Sequence, residues 1–243
     1  MDPIVTVEDV SVGFGEHVLL EHVSFEVSRG EVFAILGGSG AGKSTLLRLM
    51  VGLAPPLAGR IDVAGRGAPD LDLGLPPFGV MFQGGALFGS MSVGENVGLA
   101  LAEWTALPAD AIRAVVRAKL RLVGLEEAVD KLPSELSGGM KKRAAIARAL
   151  ALDPELVFLD EPSAGLDPVT SADLDRLVVT LNRTLGLSVV LVTHELESVF
   201  DVADRCVLLD GETRGILAAG DPRELRSSAE ERVSAFFQRR THP

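Results

Sequence analysis

The 243-residue sequence predicts an α/β fold that begins with an antiparallel β-subdomain and is interrupted by an inserted α-helical subdomain. Three observations predict this class. Strand-length and helix-length segments alternate at both ends of the chain, a glycine-rich turn near residue 40 joins a strand to a helix, and helical periodicity dominates the middle. We expect one domain over residues 1–243, with its α/β core at about 1–90 and 153–225, the helical insert at about 91–152 and a tail helix at about 226–240.

Composition excludes several classes of protein. The 23 basic and 34 acidic residues give a net charge of −11, whereas a stand-alone nucleic-acid binder needs clustered Lys and Arg, so we expect no nucleic-acid partner. The single cysteine, Cys206, excludes an intramolecular disulfide and a multi-cysteine zinc site. No apolar run approaches the roughly 18 residues of a membrane span, and the chain starts with an acidic residue where a secretory leader carries positive charge. We therefore expect a cytoplasmic protein.

The N-terminal segments have the periodicity of strands. Residues 4–10 and 23–27 alternate apolar and polar side chains, as half-buried strands do, and a turn at 13–16 separates them. Residues 31–36 form an apolar strand that leads into the glycine-rich turn and a helix at 45–52. Residues 59–63 and 78–82 are further predicted strands.

The middle and the end of the chain differ in character. Apolar side chains at helical spacing over 112–123 face arginines on the opposite side, which predicts an amphipathic helix. The alternation of strands and helices then returns. We predict strands at 156–159 and 188–192, helices at 170–185 and 195–202, and a final hairpin formed by 205–210 and 214–219.

The glycine-rich turn has the pattern of a phosphate-binding loop, Gly37-x-x-x-x-Gly42-Lys43-Ser44, with a strand before it and a helix after it. Its glycines let main-chain N–H groups turn toward one anion, at which the helix also points its positive end. We expect Lys43 to reach the β- and γ-phosphates and Ser44 to bind Mg²⁺. The predicted nucleotide-binding residues of this loop are Gly37, Gly38, Ser39, Gly40, Ala41, Gly42, Lys43, Ser44 and Thr45.

Two acidic residues follow a second apolar strand. Asp160 stands at the carboxyl end of residues 156–159, where a carboxylate can hold Mg²⁺ beside the phosphates. Glu161 is next in sequence and can polarise a water molecule for attack on the γ-phosphate. Together with the phosphate-binding loop, these residues predict a protein that binds a nucleoside triphosphate with Mg²⁺ and hydrolyses it.

Five further elements resemble those of the ATP-binding-cassette (ABC) ATPases. Leu136-Ser-Gly-Gly-Met140 resembles the family's signature sequence, and Gln83 lies where the family has its Q-loop. Residues 163–167, Ser-Ala-Gly-Leu-Asp, resemble the D-loop. His194 resembles the switch histidine, and Phe14 stands where the family places an aromatic residue. The elements occur in the family's order, so the fold is identified as a P-loop NTPase with an ABC ATPase core.

The resemblance implies a role for each of these residues. It implies that Phe14 stacks on adenine, that Gln83 acts in catalysis and binds Mg²⁺, and that His194 contacts the γ-phosphate and positions water with Glu161. It further implies a homodimer in which one chain grips the ATP bound to the other. The residues that would contact ATP across that dimer include Ser137, Gly138 and Gly139, and Asp167 is also expected at the ATP.

Two stretches, residues 83–97 and 133–148, resemble the ATPase subunits of Mla/Mce-type phospholipid transporters, including Met140 in place of the commoner Gln. The resemblance implies a cassette on the cytoplasmic face of the bacterial inner membrane that drives phospholipid movement between inner and outer membranes. Implied partners are an MlaE-like integral membrane permease docking near Gln83–Met91, a small STAS-type regulatory subunit and a periplasmic Mce-domain protein. The alternatives are a cassette for another solute and a soluble ABC ATPase acting on nucleic acid or ribosomes.

Two features remain outside these motifs. The basic cluster Lys141-Lys142-Arg143 follows the signature sequence, and in so acidic a protein we interpret it as a solvated helix face. The tail carries Val233, Phe236 and Phe237 at helical spacing, and the sequence allows this apolar face to pack on its own domain or on a partner.

Overall fold

The computed structural model describes residues 3–14, 17–70 and 74–238, and the chain divides into two compact units, residues 1–76 with 188–243 and residues 77–187. The described strands are β1 (Pro3–Phe14), β2 (His17–Ser28), β3 (Val32–Gly37), β4 (Ala58–Val63), β5 (Phe78–Met81), β6 (Leu156–Asp160), β7 (Ser188–Val192), β8 (Arg205–Asp210) and β9 (Gly215–Gly220). The described helices are α1 (Lys43–Met50), α2 (Val93–Trp104), α3 (Ala109–Leu122), α4 (Gly138–Ala149), α5 (Pro168–Leu185), α6 (Leu196–Val202), α7 (Pro222–Leu225) and α8 (Glu231–Phe237).

The first unit contains the predicted antiparallel β-subdomain, in the strand order β2-β1-β4. Val23, Phe25 and Val27 of β2 are buried, as the alternation in sequence predicts, and so is Leu20 nearer the start of the strand. Strand β2 begins six residues earlier than the predicted 23–27, because its pairing with β1 continues to Phe14 opposite His17 even where its side chains are only partly buried.

A second sheet of the first unit positions the phosphate-binding loop. Strand β3 pairs in parallel with β7 on one side and with β8 on the other, and β9 closes the edge beyond β8 in the antiparallel direction. Every residue of β3 and of β7 is buried, as in strands covered on both faces. Because parallel strands end at the same edge, the segments that follow β3 and β7 leave the sheet side by side.

Helix α8 packs within its own unit. Val233 and Phe237 join a core with residues of β3, β8 and α6, and the rings of Phe237 and Phe200 lie 6.1 Å apart between centroids. The apolar face of the tail, for which the sequence left two possible partners, therefore covers the sheet of the first unit.

The second unit contains a parallel strand pair and the helical insert. Strands β5 and β6 pair in parallel, and β5 passes so close to α4 that a Cβ atom on Gly79 would lie 2.0 Å from the carbonyl oxygen of Ala149. Helix α2 begins at a capping box in which Ser92 and Glu95 satisfy each other's main-chain N–H groups. The predicted α/β class with a helical subdomain is confirmed. In the described ranges, no helix is both long and apolar enough to cross a membrane.

Candidate active site

The phosphate-binding loop connects β3 to α1 in the first unit. Lys43 folds back over the loop, and its Nζ donates to the carbonyl oxygens of Gly37 and Gly38, both at 2.9 Å. Gly42 has a φ of 89°, and a Cβ atom there would lie 2.9 Å from Leu20 Cδ1, so this position requires glycine. Gly42 also precedes the helix without a side chain to cap it, which leaves the first N–H groups of α1 for an anion.

His194 lies at the same edge of the sheet as this loop. The N–H of Thr193 donates to the carbonyl oxygen of Ile35 at 3.3 Å, and Ile35 is two residues before the loop's first glycine. His194 is exposed there. An exposed imidazole beside a phosphate-binding loop can donate to a phosphate oxygen. The side chain of Phe14, predicted to stack on adenine, lies outside the described residues.

The two predicted acidic residues stand at the end of β6 in the second unit, each only 7% exposed. Both residues have further interactions within the chain. Carboxylate oxygens are ligands that Mg²⁺ takes in proteins, so the side chain of Asp160 fits Mg²⁺.

Asp160 would hold Mg²⁺ without a cluster of further acidic side chains from the described residues. Among the residues described, no group of three or more His, Cys, Asp or Glu side chains could hold a metal ion alone. Mg²⁺ usually takes one or two carboxylates and completes its shell with phosphate oxygens and water. A single carboxylate such as Asp160 suits that mode of binding.

The signature sequence and the D-loop meet through Thr170. Ser137 caps α4 by accepting from the N–H of Met140 at 3.3 Å, and Asp167 caps α5 by accepting from the N–H and the hydroxyl of Thr170. These hydrogen bonds, first that of the Thr170 hydroxyl, lower the pKa of Asp167 below its ordinary value. A Cβ atom on Gly139 would lie 2.5 Å from Thr170 Cγ2. Thr170 thus requires the signature glycine and fixes the D-loop carboxylate.

The basic cluster after the signature sequence is not uniformly solvated, so that interpretation is wrong for Lys142. Lys141 is exposed, but Lys142 is only 8% exposed, and its Nζ donates to the carbonyl oxygens of Gln83 at 2.7 Å and Glu161 at 3.0 Å. The structure therefore brings the Q-loop and the predicted catalytic residue together on one side chain of α4.

The segment predicted to meet a permease is ordered by a buried side chain. Phe88, in its middle, is 51% exposed, while Asn96 of α2 is fully buried beneath the segment. The Asn96 side chain bonds main-chain groups of Phe88, Met91 and Ser92. The exposed phenyl ring consequently stands on a fixed loop.

Comparison with known proteins agrees with this arrangement of motifs. The family model described as "ABC transporter" matches residues 20–164, which include the phosphate-binding loop, the signature sequence and both acidic residues at the end of β6. The chain belongs to the ABC transporter family. A member of this family binds and hydrolyses ATP, so the predicted ATPase activity is confirmed.

Curated ABC relatives match nearly the whole chain. The "intermembrane phospholipid transport system ATP-binding protein MlaF" of Escherichia coli strain K12 is 40% identical over 96% of this chain and 88% of its own length. The "probable ribonucleotide transport ATP-binding protein mkl" of Mycobacterium leprae is 39% identical over 98% of this chain and 69% of its own length. The names of these two relatives thus give different substrates, although both are similar to this chain to nearly the same degree.

Solved ABC structures have the same fold. CbiO1 from Clostridium perfringens, described as part of the ABC transporter complex cbiONQ, superposes with a TM-score of 0.84 at 32% identity, covering 97% of this chain and 95% of that one. The dimeric cassette MJ0796 bound to ADP and Pi superposes with a TM-score of 0.77 at 28% identity, covering 89% and 98%. These relatives support dimerisation and assembly into a transporter complex for this chain.

Two contacts near the site, those of Thr170 and Lys142, were not predicted from the sequence. Thr170 lies in an ordinary first helical turn, and only the structure shows that it approaches Gly139 closely and donates to Asp167. The helical spacing around Lys142 was a signal that could have shown its burial. Lys142 lies four residues before Ile146 and three before Ala145, and both of these residues are buried on the inward face of the helix. A lysine at helical spacing with buried residues could have been expected to reach an internal acceptor.

Proposed function

We propose that this chain is the ATP-hydrolysing subunit of an ABC transporter that moves phospholipids between the inner and outer membranes. The observation that carries the proposal is the 40% identity to MlaF over 96% of the chain. The resemblance of residues 83–97 and 133–148 to Mla/Mce-type cassettes lies within this match and agrees with it.

In the first unit, the loop residues Gly37 to Thr45 would hold the triphosphate, with Lys43 on the β- and γ-phosphates. His194 would donate to the γ-phosphate and help to orient the attacking water. Phe14 would stack on adenine. The fold supports these roles because the segments carrying Lys43 and His194 leave adjacent parallel strands at one edge.

In the second unit, Glu161 would polarise the attacking water, and Asp160 would hold Mg²⁺ together with Ser44 and Gln83. A bound Mg²⁺ supplies charge neutralisation at the phosphate oxygens. The Ser137-Gly138-Gly139 N-terminus of α4 and Asp167 would contact the ATP of the second copy. Ser137 and Gly138 are exposed, which supports contact with another chain. Each ATP would therefore be enclosed by two copies.

The docking surface for an MlaE-like permease would be the segment Gln83–Met91, with Phe88 as its apolar contact. A STAS-type subunit and a periplasmic Mce-domain protein would complete the assembly, and the chain would lie on the cytoplasmic face of the inner membrane. The exposed phenyl ring of Phe88, on a loop held by the buried Asn96, supports Gln83–Met91 as the permease contact, because a rigid apolar contact transmits motion better than a mobile one.

Reconstitution tests the proposed cargo. The tagged chain is purified with the integral membrane protein that it retains, and the complex is placed in vesicles containing a fluorescent phospholipid. We expect ATP-dependent transfer of the lipid to acceptor vesicles, and no transfer with Lys43→Ala, which removes the phosphate contact. ATP-dependent ribonucleotide uptake without lipid transfer would overturn the proposal, as would ATPase activity that requires nucleic acid or ribosomes.

A second experiment tests the proposed catalytic carboxylate. Glu161→Gln should lower ATP turnover at least about a hundredfold, because the amide cannot act as a base. The variant should still bind ATP and run as a stable dimer in size-exclusion chromatography with ATP present. Glu224→Gln, on the exposed face of α7, is the matched control and should behave like the native chain. Normal turnover in Glu161→Gln would remove this residue from its role.

A further inference from the structure

Lys142 occupies a position that the proposed mechanism does not use. It is a residue of α4 with 8% exposure, and its ammonium group donates to the main-chain carbonyls of two predicted catalytic residues, Gln83 and Glu161. The Nζ atom is 2.7 Å from Gln83 O and 3.0 Å from Glu161 O. Charge-assisted hydrogen bonds of this length are among the stronger polar contacts in a protein, and more so when water is excluded.

The acceptor at Glu161 is a strained backbone position. Glu161 has a φ of 48°, in the left-handed region that a residue with a side chain rarely adopts. Such a conformation persists only where neighbouring groups impose it. The hydrogen bond from Lys142 fixes the direction of the Glu161 carbonyl, and through the same Cα atom it restricts where the carboxylate points.

The other acceptor, the carbonyl oxygen of Gln83, belongs to a segment that accepts several hydrogen bonds from side chains of α4. Arg148, six residues further along the helix, donates to the carbonyl oxygens of Gly85 at 2.9 Å and Ala86 at 2.5 Å. Ala86 also has a positive φ, 48°. Arg148 therefore anchors the segment after β5, whereas Lys142 anchors the same segment and reaches Glu161 as well.

We propose that Lys142 is a positioning residue that couples the main chain of Gln83 to the main chain of Glu161. A displacement of the segment Gln83–Met91 by a membrane partner would pull on the shared ammonium group and reorient the Glu161 carboxylate. The inference rests on the proposed function, in that it takes Glu161 as the catalytic group. Lysine suits this place because its three donors on a flexible stem serve two acceptors at once.

The test is ATP turnover in Lys142→Met, which keeps the length and packing of the side chain but has no donor. We expect kcat to fall about tenfold while KM for ATP stays within about twofold, since the loss concerns the orientation of a catalytic group and not nucleotide binding. Lys142→Arg keeps donors at this position and should retain kcat within about threefold of the native value. Lys141→Met, at the exposed neighbouring lysine, should change neither constant.

A loss of folded protein must be separated from a loss of positioning. Turnover is expressed per nucleotide bound in a titration with a non-hydrolysable ATP analogue, so a misfolded fraction does not lower the value. If Lys142→Met does not fold, Lys142→Leu replaces it. Its apolar side chain also has no donor and should likewise lower kcat per bound nucleotide without changing KM.

The failures of the two proposals are distinguishable. If Glu161→Gln is inactive but Lys142→Met turns over at the native rate, the coupling by Lys142 is overturned and the catalytic role of Glu161 remains. If Glu161→Gln keeps full turnover, the proposed site itself is wrong. Equal loss of kcat in Lys142→Met and Lys142→Arg would also overturn the coupling, because the donor would then be irrelevant.

Discussion

Asn96 holds Phe88 by both of its main-chain groups. The Oδ1 atom of Asn96 accepts from the N–H of Phe88 at 2.7 Å, and its Nδ2 atom donates to the carbonyl oxygen of the same residue at 3.1 Å. The same Nδ2 group also bonds the carbonyls of Met91 and Ser92. A fully buried amide from α2 thus replaces the hydrogen bonds that a regular element would give this loop.

Removal of this amide should destabilise the protein and loosen the loop. Asn96→Ala leaves the N–H of Phe88 and several carbonyls without their partner, and we expect a loss of about 3 kcal/mol of unfolding free energy. Urea denaturation measures the loss, and hydrogen exchange should accelerate at residues 88–92. Glu103→Gln, on the exposed face of the same helix, is the control and should stay within about 0.5 kcal/mol of the native chain. Unchanged exchange at 88–92 would contradict the assigned role of Asn96.

The contact between Gly139 and Thr170 gives a double-mutant test. Gly139→Ala places a methyl group 2.5 Å from Thr170 Cγ2, and the resulting overpacking should cost about 1–3 kcal/mol in the nucleotide-free protein. Thr170→Ser removes that methyl group and keeps the hydroxyl that binds Asp167, so the double variant should recover most of the loss. Gly138→Ala, which meets only the Leu166 Cδ2 atom at 3.4 Å, should be nearly neutral. Additive losses in the double variant would refute the contact.

Much of the fold was predictable because it depends on local patterns. The phosphate-binding loop needs glycine where the backbone adopts positive φ, as at Gly42. The glycines of the loop therefore stand at fixed spacing within eight consecutive residues, where the sequence shows them directly. The buried strands β3, β6 and β7 are short apolar runs with clear limits. Strand β2 was predicted too short because its first residues pair with β1 without a regular alternation: Leu20 and Val23 are both buried although they are three residues apart.

The contacts between motifs could not be predicted in the same way. The ammonium group of Lys142 donates to carbonyls 59 and 19 residues away in sequence. Every residue has a main-chain carbonyl, so the sequence does not show which of them accept a hydrogen bond from a side chain. In the sequence, Lys141 and Lys142 are adjacent residues of the same type. Only the direction of α4 separates the exposed one from the buried one.

Cys206 should be unreactive in the folded protein. Burial in β8, and to a lesser degree the charge of Asp221, raises the pKa of its thiol to about 12. Thiolate is the reactive form, so a disulfide reagent at pH 8 should label almost no native protein and one thiol per chain after denaturation. An unfolded cysteine ionises near pH 8.5. The unfolded state therefore releases a proton that the native state keeps, and stability should decline as the pH rises between about 9 and 12. Rapid labelling of the native chain would show that β8 opens.

The docking of α8 predicts that two adjacent phenylalanines differ in their effect on stability. Phe237 is 2% exposed and lies in the core of the first unit with Val233, whereas Phe236 is only partly buried beside it. Phe237→Ala should cost about 3 kcal/mol of unfolding free energy, since the cavity opens inside the core, and Phe236→Ala should cost about 1 kcal/mol.

The two phenylalanine variants also test whether the apolar face of α8 packs on its own unit or on a second copy of the chain in solution. A helix that packs on its own unit stabilises a dilute, nucleotide-free chain, so the difference between the two variants should be independent of protein concentration. A helix that packs on a second copy would instead give losses that grow on dilution, because the dissociated chain has already lost the contact. Thermal unfolding over a hundredfold range of concentration separates the two cases, and equal midpoints for Phe236→Ala and Phe237→Ala would contradict the burial of Phe237.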